Sequence, residues 1–192
     1  IKETAKRLWI IYFSLTALET VVLMFLGLSF FDAINHSLTT TSTGGFSTKQ
    51  ESIAAFQNPF VEAVIVIFMF LAGTNFTMIY FGLKMKFRKI VNNDEFKWYL
   101  SAVFILILLL SFYRTHTSSS DFIHAFREIS FQVVSIITTT GYATADYTLW
   151  GSFLTFIFFL FLFSGASAGS TSGGIKIVRI ILLIKNLSLI HI

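Results

Sequence analysis

Cysteine is absent from the 192-residue sequence, and proline occurs only once. The absence of cysteine excludes disulfides, thiolate metal sites and a cysteine nucleophile from this chain. Charged residues are also scarce, at 12%, whereas a soluble domain carries about 25% because its surface faces water. Hydrophobic residues make up 55% of the chain and include 24 phenylalanines. Lipid must therefore cover much of the surface, and we predict an integral membrane protein.

Four apolar segments are candidates for membrane-spanning helices, which need roughly 20 mostly apolar residues. They are Trp9–Phe31, Ala63–Leu83, Trp98–Tyr113 and Tyr147–Ile175. The third segment is short and spans only with help from its flanks, and small residues interrupt the fourth. Glu19 is the single charge in the first segment, where it is either an ion-path carboxylate or a residue of a helix interface.

The distribution of lysine and arginine predicts the orientation of these spans. If the N-terminus is cytoplasmic, eleven of the 14 basic residues lie inside, and only Lys49, Arg114 and Arg127 lie outside. We therefore predict a multi-pass protein of the plasma (inner) membrane with a cytoplasmic N-terminus. Membrane orientation explains the net charge of +4, so the expected partner is lipid and not nucleic acid.

Two segments between the spans are similar to each other. One constant offset, without a gap, places Phe30–Thr48 on Phe126–Thr144 and also places Gly73 on Gly169. Such an internal repeat organises the whole chain. We predict an all-α protein with two repeats, 1–94 and 95–192, in a potassium-channel-like architecture. Each repeat has an outward span, a short re-entrant pore helix with Asp32 or Glu128 in its first turn, a Thr/Gly filter segment and an inward span.

The Thr/Gly segments are poor helix formers, because threonine is β-branched and glycine is flexible. Non-helical backbone at membrane depth is tolerated only where it lines a watery cavity or is buried in protein. Free carbonyl groups in such a place are natural ligands for a desolvated cation. We therefore predict an ion-binding selectivity filter, with flanking residues on either side. The ion-binding residues are Thr43, Gly44, Gly45, Thr139, Thr140 and Gly141, and the flanks are Ser42, Phe46, Thr138 and Tyr142.

Three motifs resemble the Trk/Ktr/HKT family of potassium uptake proteins. Thr40–Thr48 resembles the filter of that family's second repeat, and Phe131–Thr144 resembles the filter of the third. Ala168–Lys176 resembles the interrupted inner helix of the third repeat in the Trk branch. The resemblance implies a pore-forming, non-enzymatic part of a potassium uptake system, with potassium as the transported ion and no cofactor in this chain.

The resemblance also implies a larger assembly. The family has four repeats around one pore, so a chain with two is expected to be an internal fragment that lacks the first and fourth repeats. The family forms homodimers with a cytosolic ring of nucleotide-binding regulatory subunits. Lys84–Lys89 and Lys176–Lys185 are the candidate docking surface for that ring. The choice between potassium and sodium stays open, because the family's key selectivity position lies in the first repeat.

The last span contains a run of small residues from Ser164 to Gly174. Close packing of helices explains Gly165 and Gly169, which are four residues apart, but it does not explain the pair Gly173–Gly174. The resemblance implies an intramembrane loop that acts as a gate just below the filter. Its residues are Ala168, Gly169, Ser170, Thr171, Ser172, Gly173 and Gly174.

Two other functions were weighed against this one. A two-pore potassium channel that works as a dimer fits the repeat count better, but its filter has a longer Thr-Val-Gly-Tyr-Gly-like run. An intramembrane enzyme with a serine nucleophile lacks a histidine or lysine within a span that would activate the serine. The sequence therefore favours potassium transport, with the dimeric channel as the alternative.

Overall fold

The computed structural model describes residues 2–118 and 121–190, and within these ranges the chain is mostly helical. The helices are α1 (Lys2–Phe25), α2 (Phe30–Thr41), α3 (Pro59–Ala72), α4 (Phe76–Leu83), α5 (Phe87–Val91), α6 (Asp94–Ser118), α7 (Phe122–Ile137), α8 (Ser152–Phe161) and α9 (Ile177–Ile190). Two short 3₁₀ turns, Ser52–Phe56 and Tyr147–Trp150, precede α3 and α8. Two two-residue strands, β1 (Ser164–Gly165) and β2 (Ile175–Lys176), pair in parallel.

Helices α1 and α6 are long and apolar enough to cross a membrane as single spans, over Ala5–Phe25 and Asp94–Ser118. The first is shorter at its C-terminal end than the predicted span, which continued to Phe31. Gly27 turns the chain with a φ of 96°, and the Ser29 hydroxyl accepts a hydrogen bond from the Asp32 amide at 3.1 Å. This N-cap starts α2, so the last two phenylalanines of the predicted span belong to the next helix.

The apolar segment Ala63–Leu83 contains a break that its composition does not indicate. Helices α3 and α4 meet at an angle of 108°. Gly73 ends α3, and the Asn75 side chain caps α4 by accepting a hydrogen bond from the Thr77 amide at 2.9 Å. The offset that relates the two repeats places Gly73 on Gly169, so both inward spans are interrupted at matched positions.

The short helix α7 is buried from Phe131 to Ile137, whereas α2 is buried on one face only, through Ala33, His36, Ser37, Thr40 and Thr41. Asp32 lies in the first turn of α2, as predicted. The matched prediction for Glu128 is wrong, because α7 begins at Phe122 and its first turn contains no acidic residue. Glu128 instead lies 3.9 Å from Arg114 of α6 and 3.7 Å from His124.

The two repeats share one hydrophobic core. Side chains of α1, α3, α6, α7 and α8 meet in it, among them Leu23, Ile65, Met69, Tyr99, Phe131, Leu154 and Phe158. At one edge of the core an ion pair joins the repeats, with Arg127 Nε 3.2 Å from Glu62 Oε2. Because the core contains residues of both repeats, the two repeats are packed together as one unit.

The last apolar run is helical only at its ends. Helix α8 stops at Phe161, and α9 starts at Ile177. Between them the chain forms a loop whose two ends are joined by the β1–β2 pair, with Ser164 opposite Ile175 and Gly165 opposite Lys176. We call residues 166–174 the Gly/Ser loop. The sequence offers no interpretation of residues 186–192; α9 continues to Ile190, and the last two residues lie outside the described ranges.

Candidate functional site

The two Thr/Gly segments are Ser42–Thr48 and Thr138–Thr144. They follow the C-terminal ends of α2 and α7, respectively, and begin with the same turn. The amide of Gly44 donates to the Thr39 carbonyl at 2.7 Å, and the amide of Thr140 donates to the Ser135 carbonyl at 2.9 Å. The two helix residues that accept these bonds also hold the far ends of the segments. Thr39 Oγ1 donates to the Phe46 carbonyl at 2.9 Å, and Ser135 Oγ donates to the Tyr142 carbonyl at 2.6 Å.

The sign of φ alternates along both segments. Thr43 and Gly45 have φ values of 54° and 64°, and the matched Thr139 and Gly141 have values of 57° and 86°. The residues between them, Gly44 and Thr140, do not have positive φ. A threonine with positive φ is strained, since a β-branched residue rarely adopts the left-handed conformation. Its occurrence at the same place in both repeats indicates a backbone held in one specific shape by its surroundings.

Residues that alternate between left- and right-handed conformations turn successive carbonyl groups toward one side of the chain. A helix does not allow this arrangement, because its carbonyl groups are engaged in hydrogen bonds within the helix. In each segment, the carbonyl oxygens of three consecutive residues accept no hydrogen bond from any residue in the ranges 2–118 and 121–190. They are Thr43, Gly44, Gly45, Thr139, Thr140 and Gly141. Backbone carbonyl groups normally have a hydrogen-bond partner, so three successive free carbonyl groups in each of two matched segments form a concentration of available acceptors.

The two segments meet at Gly45. A Cβ atom built on Gly45 would lie 1.9 Å from the carbonyl oxygen of Thr140 and 2.8 Å from its carbonyl carbon. No side chain fits between backbones at that separation. Gly45 is therefore required both for its positive φ and for the close approach of the second segment. The matched Gly141 has no such neighbour within 4 Å.

The flanking aromatic residues differ between the repeats. Phe46 is 76% exposed, whereas Tyr142 is 1% exposed. The Tyr142 hydroxyl lies 2.5 Å from Thr39 Oγ1 and 3.1 Å from the His36 carbonyl, both on α2. Tyr142 thus joins the second segment to α2 of the first repeat. The other two flanks, Ser42 and Thr138, are the C-cap residues of α2 and α7.

Replacing Tyr142 by phenylalanine is expected to lower the free energy of unfolding by about 1 kcal/mol, since it removes one buried hydrogen-bonding group. Denaturant unfolding of the detergent-solubilised protein measures this change. Tyr113→Phe is the control, because the Tyr113 hydroxyl is partly exposed and has no hydrogen-bond partner among the described residues. Equal destabilisation by the two variants would contradict a link through Tyr142.

Side chains of α2 form hydrogen bonds with residues of the first Thr/Gly segment. His36 is fully buried, and its Nε2 lies 2.9 Å from Ser47 Oγ. At the N-terminus of α2, Asp32 accepts a hydrogen bond from the Thr48 hydroxyl at 2.5 Å. That bond lowers the pKa of the Asp32 carboxyl, and the Ser29 hydroxyl and the Lys49 ammonium lower it further.

The Gly/Ser loop contacts both Thr/Gly segments. The Thr43 hydroxyl donates to the Thr171 carbonyl at 3.0 Å, and the Gly173 amide donates to the Thr139 hydroxyl at 2.6 Å. Thr171 Oγ1 also reaches the carbonyl of Thr41 at 2.9 Å. Since Thr43 and Thr139 are the matched left-handed residues, the loop is attached to the same point of each segment.

The rest of the loop is attached to the break in the first inward span. The Ser167 amide donates to the Gly73 carbonyl at 3.0 Å, and the Gly169 carbonyl accepts from the Phe76 amide at 3.1 Å. Gly169 and Gly174 have positive φ values of 72° and 64°. The remaining predicted gate residues are held by side-chain bonds, with Ser170 Oγ 2.8 Å from Ser172 Oγ and the Ala168 amide 2.5 Å from Glu95 Oε1.

Comparison with known proteins places these features in one family. The profile of the TrkH family, described as cation transport protein, matches residues 1–189. The chain belongs to the TrkH family. The Trk system potassium uptake protein TrkH of Escherichia coli K12 is 38% identical over 190 residues, which are 96% of this chain and 39% of that protein. The potassium uptake protein TrkG of the same organism is 36% identical over 188 residues, 95% of this chain and 38% of that protein.

The fold agrees with a solved member of the TrkH family. The crystal structure of the potassium transporter TrkH from Vibrio parahaemolyticus superposes with a TM-score of 0.91 at 34% identity, over 99% of this chain and 42% of that one. The predicted fold class and the predicted family are thereby confirmed. The chain spans about two fifths of the length of the relatives it matches. The family assignment favours the first function weighed from the sequence over the dimeric two-pore channel.

Two charged residues contact the loop in ways that the sequence analysis of this TrkH-family chain did not predict. No sequence motif points to Glu95. Its only notable feature in the sequence is its position just after the lysine-rich turn that precedes α6. Lys176 was assigned to the docking surface of a regulatory partner. That assignment stays a prediction. The Lys176 Nζ donates to the Ser172 carbonyl and lies 2.9 Å from Ser172 Oγ, so it contacts the loop.

Glu19 of α1 is fully buried. Neither of its carboxyl oxygens has a hydrogen-bond partner among the described residues, although the Thr40 side chain is an electrostatic neighbour. Both interpretations of Glu19 from the sequence stay predictions. Over residues 2–118 and 121–190, no group of three His, Asp or Glu side chains is arranged to hold a metal ion.

Proposed function

We propose that this chain lines part of a potassium-conducting pore and that its two Thr/Gly segments form part of the selectivity filter. The observation that carries the proposal is the matched alternation of φ in the two segments, with six carbonyl oxygens that accept no hydrogen bond. A row of carbonyl dipoles replaces the hydration shell of an alkali cation. The proposed ligands are the carbonyl groups of Thr43, Gly44, Gly45, Thr139, Thr140 and Gly141.

Potassium is the proposed ion because relatives of this chain carry the names of potassium uptake proteins. The ion is cargo, and we propose no cofactor and no enzymatic reaction for this chain. Helices α2 and α7 point their C-terminal ends at the segments, and the partial negative charge of those ends also favours a cation there.

The Gly/Ser loop is the proposed gate. It is attached to Thr43 and Thr139 at the same end of both segments, so an ion that leaves the filter at that end meets the loop. The loop has almost no side-chain bulk and no regular hydrogen bonding, and such a segment can move without unfolding the helices on either side.

The two repeats, 1–94 and 95–192, are the proposed second and third quarters of a four-repeat pore. Support comes from the share of the relatives' length that the chain covers, 39% to 42%. Phe46 also fits this arrangement, since its 76% exposed ring is available to pack against a further repeat. By the same analogy we propose a homodimer in the plasma membrane, with a cytoplasmic N-terminus and a nucleotide-binding regulatory partner on the cytosolic side.

The test is potassium uptake by the full-length protein in cells whose own potassium uptake systems have been deleted, followed by ion flux in reconstituted vesicles. We expect growth at low external potassium and influx well above that of empty vesicles. Gly82→Ala is the control for expression, because a Cβ at Gly82 meets only the Ile90 Cδ1 atom at 3.6 Å. Absence of potassium influx, with the protein folded in the membrane, would overturn the proposal.

A further inference from the structure

Glu95 reaches the Gly/Ser loop from the first turn of α6. Its Oε1 accepts a hydrogen bond from the Ala168 amide at 2.5 Å, and the side chain is partly buried. The preceding residue, Asp94, points elsewhere: its side chain is 79% exposed and lies 3.6 Å from Lys97. Two acidic residues in the same helical turn therefore have different surroundings, and only one of them contacts the loop.

Lys176 holds the other side of the same loop. Its ammonium group donates to the Ser172 carbonyl and lies 2.9 Å from Ser172 Oγ and 3.5 Å from Ser170 Oγ. The Glu95 carboxylate and the Lys176 ammonium also attract each other electrostatically. Residues 168–172 are thus held by a negative group at one end and a positive group at the other.

The difference between the two groups is where they come from. Lys176 belongs to β2, which follows the loop directly and would move with it. Glu95 belongs to α6, a 25-residue span that packs in the core through Tyr99, Val103 and Ile107. A hydrogen bond to an ionised acceptor is stronger than one between neutral groups. The bond from Ala168 to Glu95 is therefore a strong attachment of the loop to a fixed element.

We propose that Glu95 is the positioning residue that holds the Gly/Ser loop against the two Thr/Gly segments, so that loss of its bond to the Ala168 amide releases the loop. The attachment itself depends only on the geometry described above. Its consequence for ion flux rests on the function proposed above. The start of α6 is itself capped, since the Asn93 side chain accepts a hydrogen bond from the Phe96 amide at 2.8 Å.

The experiment measures exposure of the loop directly. The 192 residues contain no cysteine, so Ser170→Cys supplies a single thiol in this region. The labelling rate of that thiol by a membrane-impermeant reagent is compared among full-length proteins that all carry Ser170→Cys. Glu95→Ala is expected to raise the rate roughly tenfold, as loss of a charge-assisted hydrogen bond predicts. Glu95→Gln retains an acceptor oxygen and is expected to give a smaller increase.

Asp94→Ala is the matched control, since it removes a negative charge from the same turn without touching the loop. Its labelling rate is expected to equal that of the parent. A Glu95→Ala rate equal to the Asp94→Ala rate, in proteins that elute as folded particles, would overturn the proposal. Potassium flux is measured in parallel and should rise with the labelling rate. Absence of flux in the parent would refute the proposed function, while the labelling rates still decide whether Glu95 holds the loop.

Discussion

Gly45→Ala is expected to lower potassium flux by about 100-fold or more, which is the order of effect that a misplacement of about 1 Å has on a precisely positioned site. An alanine Cβ would lie 1.9 Å from the Thr140 carbonyl oxygen, which is far inside any permitted contact. Alanine at a φ of 64° adds roughly 1–2 kcal/mol of backbone strain. The two segments must therefore separate, and the carbonyl groups of both lose their arrangement.

Substitutions of two other glycines distinguish the steric clash from the backbone strain as the cause of the lower potassium flux. Gly141→Ala introduces the same kind of strain at a φ of 86°, but its Cβ meets no atom within 4 Å. Gly44→Ala introduces no left-handed strain, and its tightest contact, 3.3 Å to Ser42 Oγ, is with a side chain that can rotate away. The expected order of flux is Gly44→Ala highest, Gly141→Ala intermediate and Gly45→Ala lowest. Tracer potassium uptake into vesicles measures this order, and equal flux in Gly45→Ala and Gly141→Ala would refute the role of the close approach.

Gly165→Ala is expected to destabilise the folded protein by about 2–3 kcal/mol, the upper part of the usual range for overpacking. A Cβ at Gly165 would lie 2.1 Å from the Gly173 carbonyl oxygen. That oxygen belongs to the backbone and cannot turn away as a side chain would. The β1–β2 pair must therefore open, and the Gly/Ser loop loses the connection between its two ends.

Gly173→Ala is the control from the same loop. Its Cβ would make an ordinary contact of 3.4 Å with Thr139 Oγ1, and its φ is not positive, so we expect a change below about 0.5 kcal/mol. Denaturant unfolding in detergent measures both variants. A destabilisation by Gly165→Ala no larger than that by Gly173→Ala would show that the loop adapts to the added carbon.

The sequence predicted local structure correctly where a single residue type determines the backbone conformation. One constant offset relates the sequences Phe30–Thr48 and Phe126–Thr144. In the structure these two segments have the same turn hydrogen bonds and the same signs of φ. The small-residue run before Lys176 reappears as a loop between α8 and α9. In each case glycine or threonine disfavours a helix by itself, so the prediction needs no knowledge of neighbouring chains.

Helix limits were less predictable where apolar residues continue through a turn. Hydropathy does not distinguish Phe25, which ends α1, from Phe30, which starts α2. It also gave no sign of the 108° bend after Ala72. That bend depends on the Gly/Ser loop, whose Ser167 amide binds the carbonyl of Gly73, a residue almost a hundred positions away in the sequence.

The sequence by itself determined the membrane environment, the twofold internal repeat and the residues that leave the helical conformation, because each follows from composition or from short-range sterics. Only the tertiary structure decided which groups touch. The approach of Gly45 to Thr140 and the hydrogen bond from Ala168 to Glu95 join residues of separate elements. Such contacts depend on how the two repeats pack around their shared core, and no local pattern of residues encodes that packing.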